Sequence, residues 1–74
     1  MQVLLFGMIA EKAGTPSVEL DATSVDELKA ALMVRIPGLD HLSYALAVDR
    51  RIVRDDMPLT GSEEIAVLPP FAGG

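Results

Sequence analysis

Pro69-Pro70-Phe71-Ala72-Gly73-Gly74 ends the chain, so the terminal carboxylate follows two residues without side chains and a stiff apolar segment. Glycine has no Cβ and lies fully extended without penalty, which lets a Gly-Gly backbone thread a slot too narrow for any other residue. A carboxylate delivered through such a slot is open to chemistry by another enzyme. The competing reading of Gly73 and Gly74 taken alone is a loosely held end, because terminal residues are commonly small and frayed.

Few other residues have types that could do chemistry. His41 follows Asp40, but a metal site needs three or four converging ligands and nothing else is spaced to join it. Asp55 and Asp56 are a candidate acid–base pair only in name, since neighbours on an extended segment point opposite ways; a solvated acidic loop is the better reading. Arg50, Arg51 and Arg54 form a local basic edge, which would meet protein carboxylates or, as the favoured reading, deter pairing at a sheet edge. Met8, Ile9 and Met57 could form an apolar surface patch with Phe71, or could fill a small core.

These residues must be positioned by a short series of elements. Val3 to Phe6 is apolar on both faces, as in a strand that is buried centrally or covered on one side by something outside the domain, and Gly7 ends it. Glu11, Lys12 and Ala13 favour a turn or two of helix before Gly14 stops it. After Pro16, Ser17 to Leu20 alternates as a strand, with Val18 and Leu20 on one face. Ser24 and Glu27 form a capping box opening the one long helix, whose Val25, Leu28, Ala31, Leu32 and Ile36 share a face before Pro37-Gly38. Tyr44 to Val48 and Ile52-Val53 make a hairpin around Asp49-Arg50-Arg51, a poor turn sequence because it lacks glycine or asparagine. Glu64 to Leu68 is the last strand, ended by Pro69-Pro70. The order ββαβββ predicts an α+β fold, the ubiquitin-like β-grasp roll, with a mixed sheet, the helix across one face, and the first and last strands parallel at its centre.

Size and charge narrow the function further. Residues 1–74 make a single domain with an expected flexible Gly-Gly tail, and a chain this short buries only roughly 60% of its unfolded surface. An apolar content of 50% is high for so small an interior, so part of the apolar surface is expected to face a partner. The absence of cysteine excludes a disulfide framework and a thiol nucleophile. A net charge of −5 disfavours nucleic acid and anionic lipid as partners. No apolar run approaches a membrane span and Met1-Gln2 carries no basic leader, so a cytoplasmic protein is expected.

Val3-Leu4-Leu5-Phe6-Gly7, Glu11-Lys12-Ala13-Gly14, Leu59-Thr60-Gly61 and the run from Glu64 to Gly74 resemble the small subunit of molybdopterin synthase, the MoaD family of sulfur carriers. The resemblance spans nearly the whole chain and is most specific at its end, where a hydrophobic strand runs into Pro-Pro and a terminal Gly-Gly. Gly61-Ser62-Glu63-Glu64 departs from the family's Gly-Asp-Glu-like turn. The resemblance implies a carrier whose Gly74 carboxylate is adenylated by an ATP-dependent adenylyltransferase/sulfurtransferase, becomes a thiocarboxylate, and gives its sulfur to cyclic pyranopterin monophosphate within a heterotetramer with the large subunit. Gly73 would let the tail pass through the partner's channel and Phe71 with Pro69 and Pro70 would seat its base, while Ala72, Met8 and Met57 are further expected partner-binding residues. The chain itself would bind no cofactor, and the catalytic groups would belong to its partners. A carrier for thiazole synthesis, a ubiquitin-like modifier joined to lysines through Gly74, and a binding module with an inert tail are the alternatives; Pro69-Pro70 and Phe6-Gly7 favour molybdopterin.

Overall fold

A computed structural model describes residues 1–69. Its elements run β1 (Gln2–Leu5), α1 (Gly7–Ala13), β2 (Ser17–Glu19), α2 (Val25–Arg35), a single-turn 3-10 helix (Leu39–His41), β3 (Ala45–Val48), β4 (Arg51–Val53) and β5 (Ile65–Leu68). The five strands form one sheet in the order β2-β1-β5-β3-β4. β5 lies parallel to β1, with Leu4 opposite Ala66, and antiparallel to β3, with Ala47 opposite Ala66. The expected central pairing of first and last strands is therefore present.

Binary patterning explains which sheet face is covered. Val3 and Leu5, Ile65 and Val67, and Leu46 and Val48 are buried in one cluster with Val25, Leu28, Leu32 and Ile36 of the long helix region. Alternation turns Leu4, Ala66, Leu68, Ala45 and Ala47 to the opposite face. Ile9 is fully buried in the core with Ala10 and Ala13 packed partly against it, whereas Met8 of the same helix is half exposed.

The helix boundaries follow from local chemistry. Ser24 Oγ accepts from Glu27 N–H at 3.2 Å, as the capping box requires, but the Glu27 carboxylate reaches one residue further back, accepting from Thr23 N–H at 3.0 Å and Thr23 O–H at 3.1 Å. Asp56 Oδ1 accepts from Asp26 N–H at 2.9 Å. One member of the Asp55-Asp56 pair thus satisfies a free amide in the first turn of α2, where the helix dipole favours negative charge. Gly14, with φ of 76°, closes α1 by donating to Ala10 C=O at 2.8 Å. That helix extends back to Gly7, further than its short sequence signal indicates.

Two loops hold by less familiar means. Asp49 and Arg50 occupy the two-residue turn between β3 and β4 with φ of 50° and 69°, a left-handed conformation unfavourable for residues with a Cβ. Glu64, entering β5, holds this turn: Asp49 N–H donates to Glu64 C=O at 2.8 Å, Glu64 N–H donates to Asp49 Oδ1 at 2.9 Å, and Arg50 Nε lies 3.3 Å from the Glu64 carboxylate. Arg51 belongs to β4 rather than to the turn. In the Gly61-Ser62-Glu63-Glu64 segment, the Glu63 carboxylate accepts from Thr60 N–H at 2.8 Å and Gly61 N–H at 3.0 Å. Those bonds, the Thr60 amide foremost, hold the Glu63 carboxyl below the ordinary carboxylate range.

Candidate functional site

The candidate site begins where β5 ends. Pro69 has no N–H to continue the ladder, so the chain must leave the sheet there. β5 leaves from the sheet's centre, flanked by β1 and β3, so Leu68 has apolar neighbours on both sides. Leu68 is opposite Ala45, and Phe6 N–H donates to Val67 C=O at 3.2 Å, carrying the β1–β5 pairing one residue past β1.

Gly7 shapes the exit. Its φ is 56°, and a Cβ placed there would lie 3.0 Å from Pro69 Cγ. A glycine is needed on both counts: the left-handed backbone and the close approach of Pro69. The Phe6-Gly7 opening and the Pro69 ending, far apart in sequence, are thus packed against one another. Phe6 and Met8 flank this contact with 45% and 50% of their surfaces exposed, too much for core residues and well placed for a partner.

Below the exit, the uncovered sheet face is apolar across four strands. Leu4 faces Ala66 across β1–β5, Ala66 faces Ala47 across β5–β3, and Ala47 faces Ile52 across β3–β4. Small alanines at the centre keep this surface shallow, with Leu4, Leu68 and the exposed Ile52 around them. The sequence signals this apolar strip on one side of a mixed sheet only as double-faced apolarity in β1 and β5.

The other candidates separate. Met57 is at the surface, but its C=O accepts from Val25 N–H at the start of α2. Leu59 N–H donates to Thr23 C=O beside it, and Leu20 N–H donates to Met1 C=O, so this is the end of the sheet where β1 starts. Met8 lies at the end where β1 finishes, so the two methionines do not share a patch, and Ile9 belongs to the core rather than to either. His41 sits exposed in the 3-10 turn, and among the described residues no group of three or more His, Asp or Glu could hold a metal. Arg50 pairs with Glu64, while Arg51 opens β4, at the edge of the sheet, and Arg54 directly follows it. Pro70, Phe71, Ala72, Gly73 and Gly74 lie outside the described residues.

Comparison with known proteins places these features in context. Residues 3–74 match the model of the ThiS family. The chain is 30% identical to the molybdopterin synthase sulfur carrier subunit of Escherichia coli (strain K12), over 100% of this chain and 99% of that protein. Among solved structures it is similar to small archaeal modifier protein 1 of Methanosarcina acetivorans, with a TM-score of 0.83 and 26% identity over 99% of this chain and 94% of that one. It is also similar to a chain in the complex of subunits 1 and 2 of molybdopterin-converting factor from Helicobacter pylori 26695, with a TM-score of 0.74 and 26% identity over 99% and 96% of the two chains. No helix among the described residues is long and apolar enough to cross a membrane.

Proposed function

Because the chain belongs to the ThiS family of MoaD-like sulfur carriers, we propose that it is the sulfur carrier subunit of molybdopterin synthase and works through the carboxylate of Gly74. The observation that carries this reading is the end-to-end match to a molybdopterin synthase sulfur carrier subunit, whose aligned span includes the Gly-Gly end. The Gly7–Pro69 packing adds support, since it holds Pro69, the last residue before the tail, against the end of β1.

A carboxylate is a poor electrophile, so sulfur transfer requires prior activation. The Gly74 carboxylate attacks the α-phosphate of ATP in the activating enzyme, releasing pyrophosphate, and a sulfur nucleophile then displaces AMP to leave the thiocarboxylate. The large subunit receives the tail and transfers the sulfur to cyclic pyranopterin monophosphate. Gly73 and Ala72 fit the narrow channel this demands, and Phe71, Pro70 and Pro69 brace its mouth. Phe6, Met8 and the uncovered sheet face supply the apolar docking area, all of it in the cytoplasm where ATP is available. Met57, at the far end of the sheet, would reach only a partner that wraps the domain.

Incubation with the activating enzyme, ATP and a sulfur donor, followed by intact-mass measurement, tests the proposal. The expected product has sulfur in place of one oxygen at Gly74, and it restores molybdopterin formation by the large subunit. An unchanged mass, or full activity after deletion of Gly73 and Gly74, defeats it. The likeness to small archaeal modifier protein 1 favours a second reading, conjugation of Gly74 to lysines of other proteins. Recovery of isopeptide-linked chain from cells, with molybdopterin synthesis intact after its deletion, would select that alternative.

A further inference from the structure

The sheet's outer edge carries features that sulfur transfer leaves unused. β4 (Arg51–Val53) is paired only with β3. Its two-residue turn makes Val48 and Arg51 a hydrogen-bonded pair, so by alternation the N–H and C=O of Ile52 point away from β3. Beside this edge lies a cleft of about 290 Å³ lined by Lys29 from α2, by Tyr44, Ala45 and Leu46, and by Ile52, Val53 and Arg54.

Its chemistry is unlike that of the rest of the molecule. The chain carries a net charge of −5, yet Lys29 and Arg54 both line this cleft and Arg51 opens the same strand, and among the described residues none of the three is in an ion pair. Tyr44 packs partly against the core and has its phenol pushed above the ordinary 10.0 by burial, so it remains a neutral hydrogen-bond donor at physiological pH. Asp55 follows Arg54 but does not line the cleft, and Asp56 is occupied by the Asp26 amide. The cleft therefore joins an apolar floor of Tyr44, Leu46 and Val53 to a cationic rim.

We propose that the β4 edge and the adjoining cleft bind an extended acidic segment of a partner protein, which joins the sheet as an additional strand. The Ile52 N–H and C=O supply the main-chain bonds of such an addition. Alternate side chains of the incoming strand then face the cleft, where an apolar group covers Leu46 and Val53 and a carboxylate meets Lys29 or Arg54. A second copy of this chain is disfavoured as occupant, because it would bring Arg51 and Arg54 against their own counterparts. The β4 edge itself is two strands away from β5, whose end is the tail exit, while Ala45 of the cleft lies opposite Leu68.

Titration of the isotope-labelled intact chain with a blocked synthetic peptide, in which Asp and Glu alternate with Val, tests this by NMR. Shifts are expected at Ile52, Val53, Arg54 and the Tyr44 ring, with slowed exchange of the Ile52 amide. The double variant Lys29→Gln/Arg54→Gln should weaken binding about tenfold, and added salt should weaken binding to the unaltered chain, a readout that needs no variant to fold. The proposal is overturned if shifts fall on Leu4, Ala66 and Leu68 instead, if a peptide with Lys in place of the acids binds equally well, if nothing binds at millimolar peptide, or if sedimentation shows the chain pairing with itself through β4.

Discussion

Gly7 shows how one residue links the two ends of the sequence. A side chain there meets two penalties, the left-handed backbone at φ 56° and the approach to Pro69 Cγ at 3.0 Å. Gly14 has a left-handed φ of 76° but nothing within 4 Å of its virtual Cβ, so it isolates the first penalty. Gly14→Ala should cost about 1–2 kcal/mol of stability from backbone strain, measured as a lower urea midpoint at unchanged slope. Gly7→Ala should cost more, and should also shift the resonances of Pro69 and Phe6. Equal losses in the two variants, with Pro69 undisturbed, would remove Gly7 from the account of the tail exit. The strand-ending role of Gly7 is legible in sequence; its contact with Pro69 is not, because the parallel β1–β5 pairing alone brings them together.

Among the elements, α2 was the most legible. Its cap, first-turn acids and buried face act within the helix itself, so Ser24 to Ile36 signals them without reference to the rest of the chain. The β3–β4 hairpin is the opposite case, because Asp49-Arg50 is a poor local turn and Glu64 of a distant segment sustains it. Replacing Asp49-Arg50 by Asn-Gly should therefore raise stability by about 1 kcal/mol. Asn keeps the side-chain oxygen that accepts from Glu64 N–H, and the exposed Arg50–Glu64 pair contributes little. A urea midpoint that falls in this variant would mean that the Arg50–Glu64 contact outweighs the backbone strain.

For the molecule as a whole, the uncovered apolar face links fold to function. A small domain that leaves Leu4, Ala66, Leu68 and Ile52 on one open surface forgoes stability that a polar face would not put at risk of aggregation. The proposed docking to a large subunit would account for that composition. Leu68→Lys should lower affinity for the large subunit about tenfold or more, from the lost burial of one large apolar side chain. Thermal stability should change little, since Leu68 points away from the core formed by Val67 and Ile65. Calorimetric titration against the large subunit checks the first expectation and a melting curve the second; unchanged affinity would place the docking surface elsewhere.

The amino-acid sequence by itself determined the features set by neighbours along the chain: the capped helix, the alternating strands, the proline-ended last strand and the order from which the β-grasp arrangement follows. It also singled out the Gly-Gly end, because that pair stands just after a proline-ended last strand at the spacing that carries the resemblance to the sulfur carriers. Only the tertiary structure decided which apolar residues are core and which are surface, burying Ile9 while exposing Met8 and sending Met57 to the opposite end of the sheet. Likewise it decided that Asp56 caps a helix, that Glu64 holds a strained turn, and that Gly7 abuts Pro69. Each of those outcomes depends on contacts between segments many residues apart, and side-chain type and local spacing carry no record of such distances.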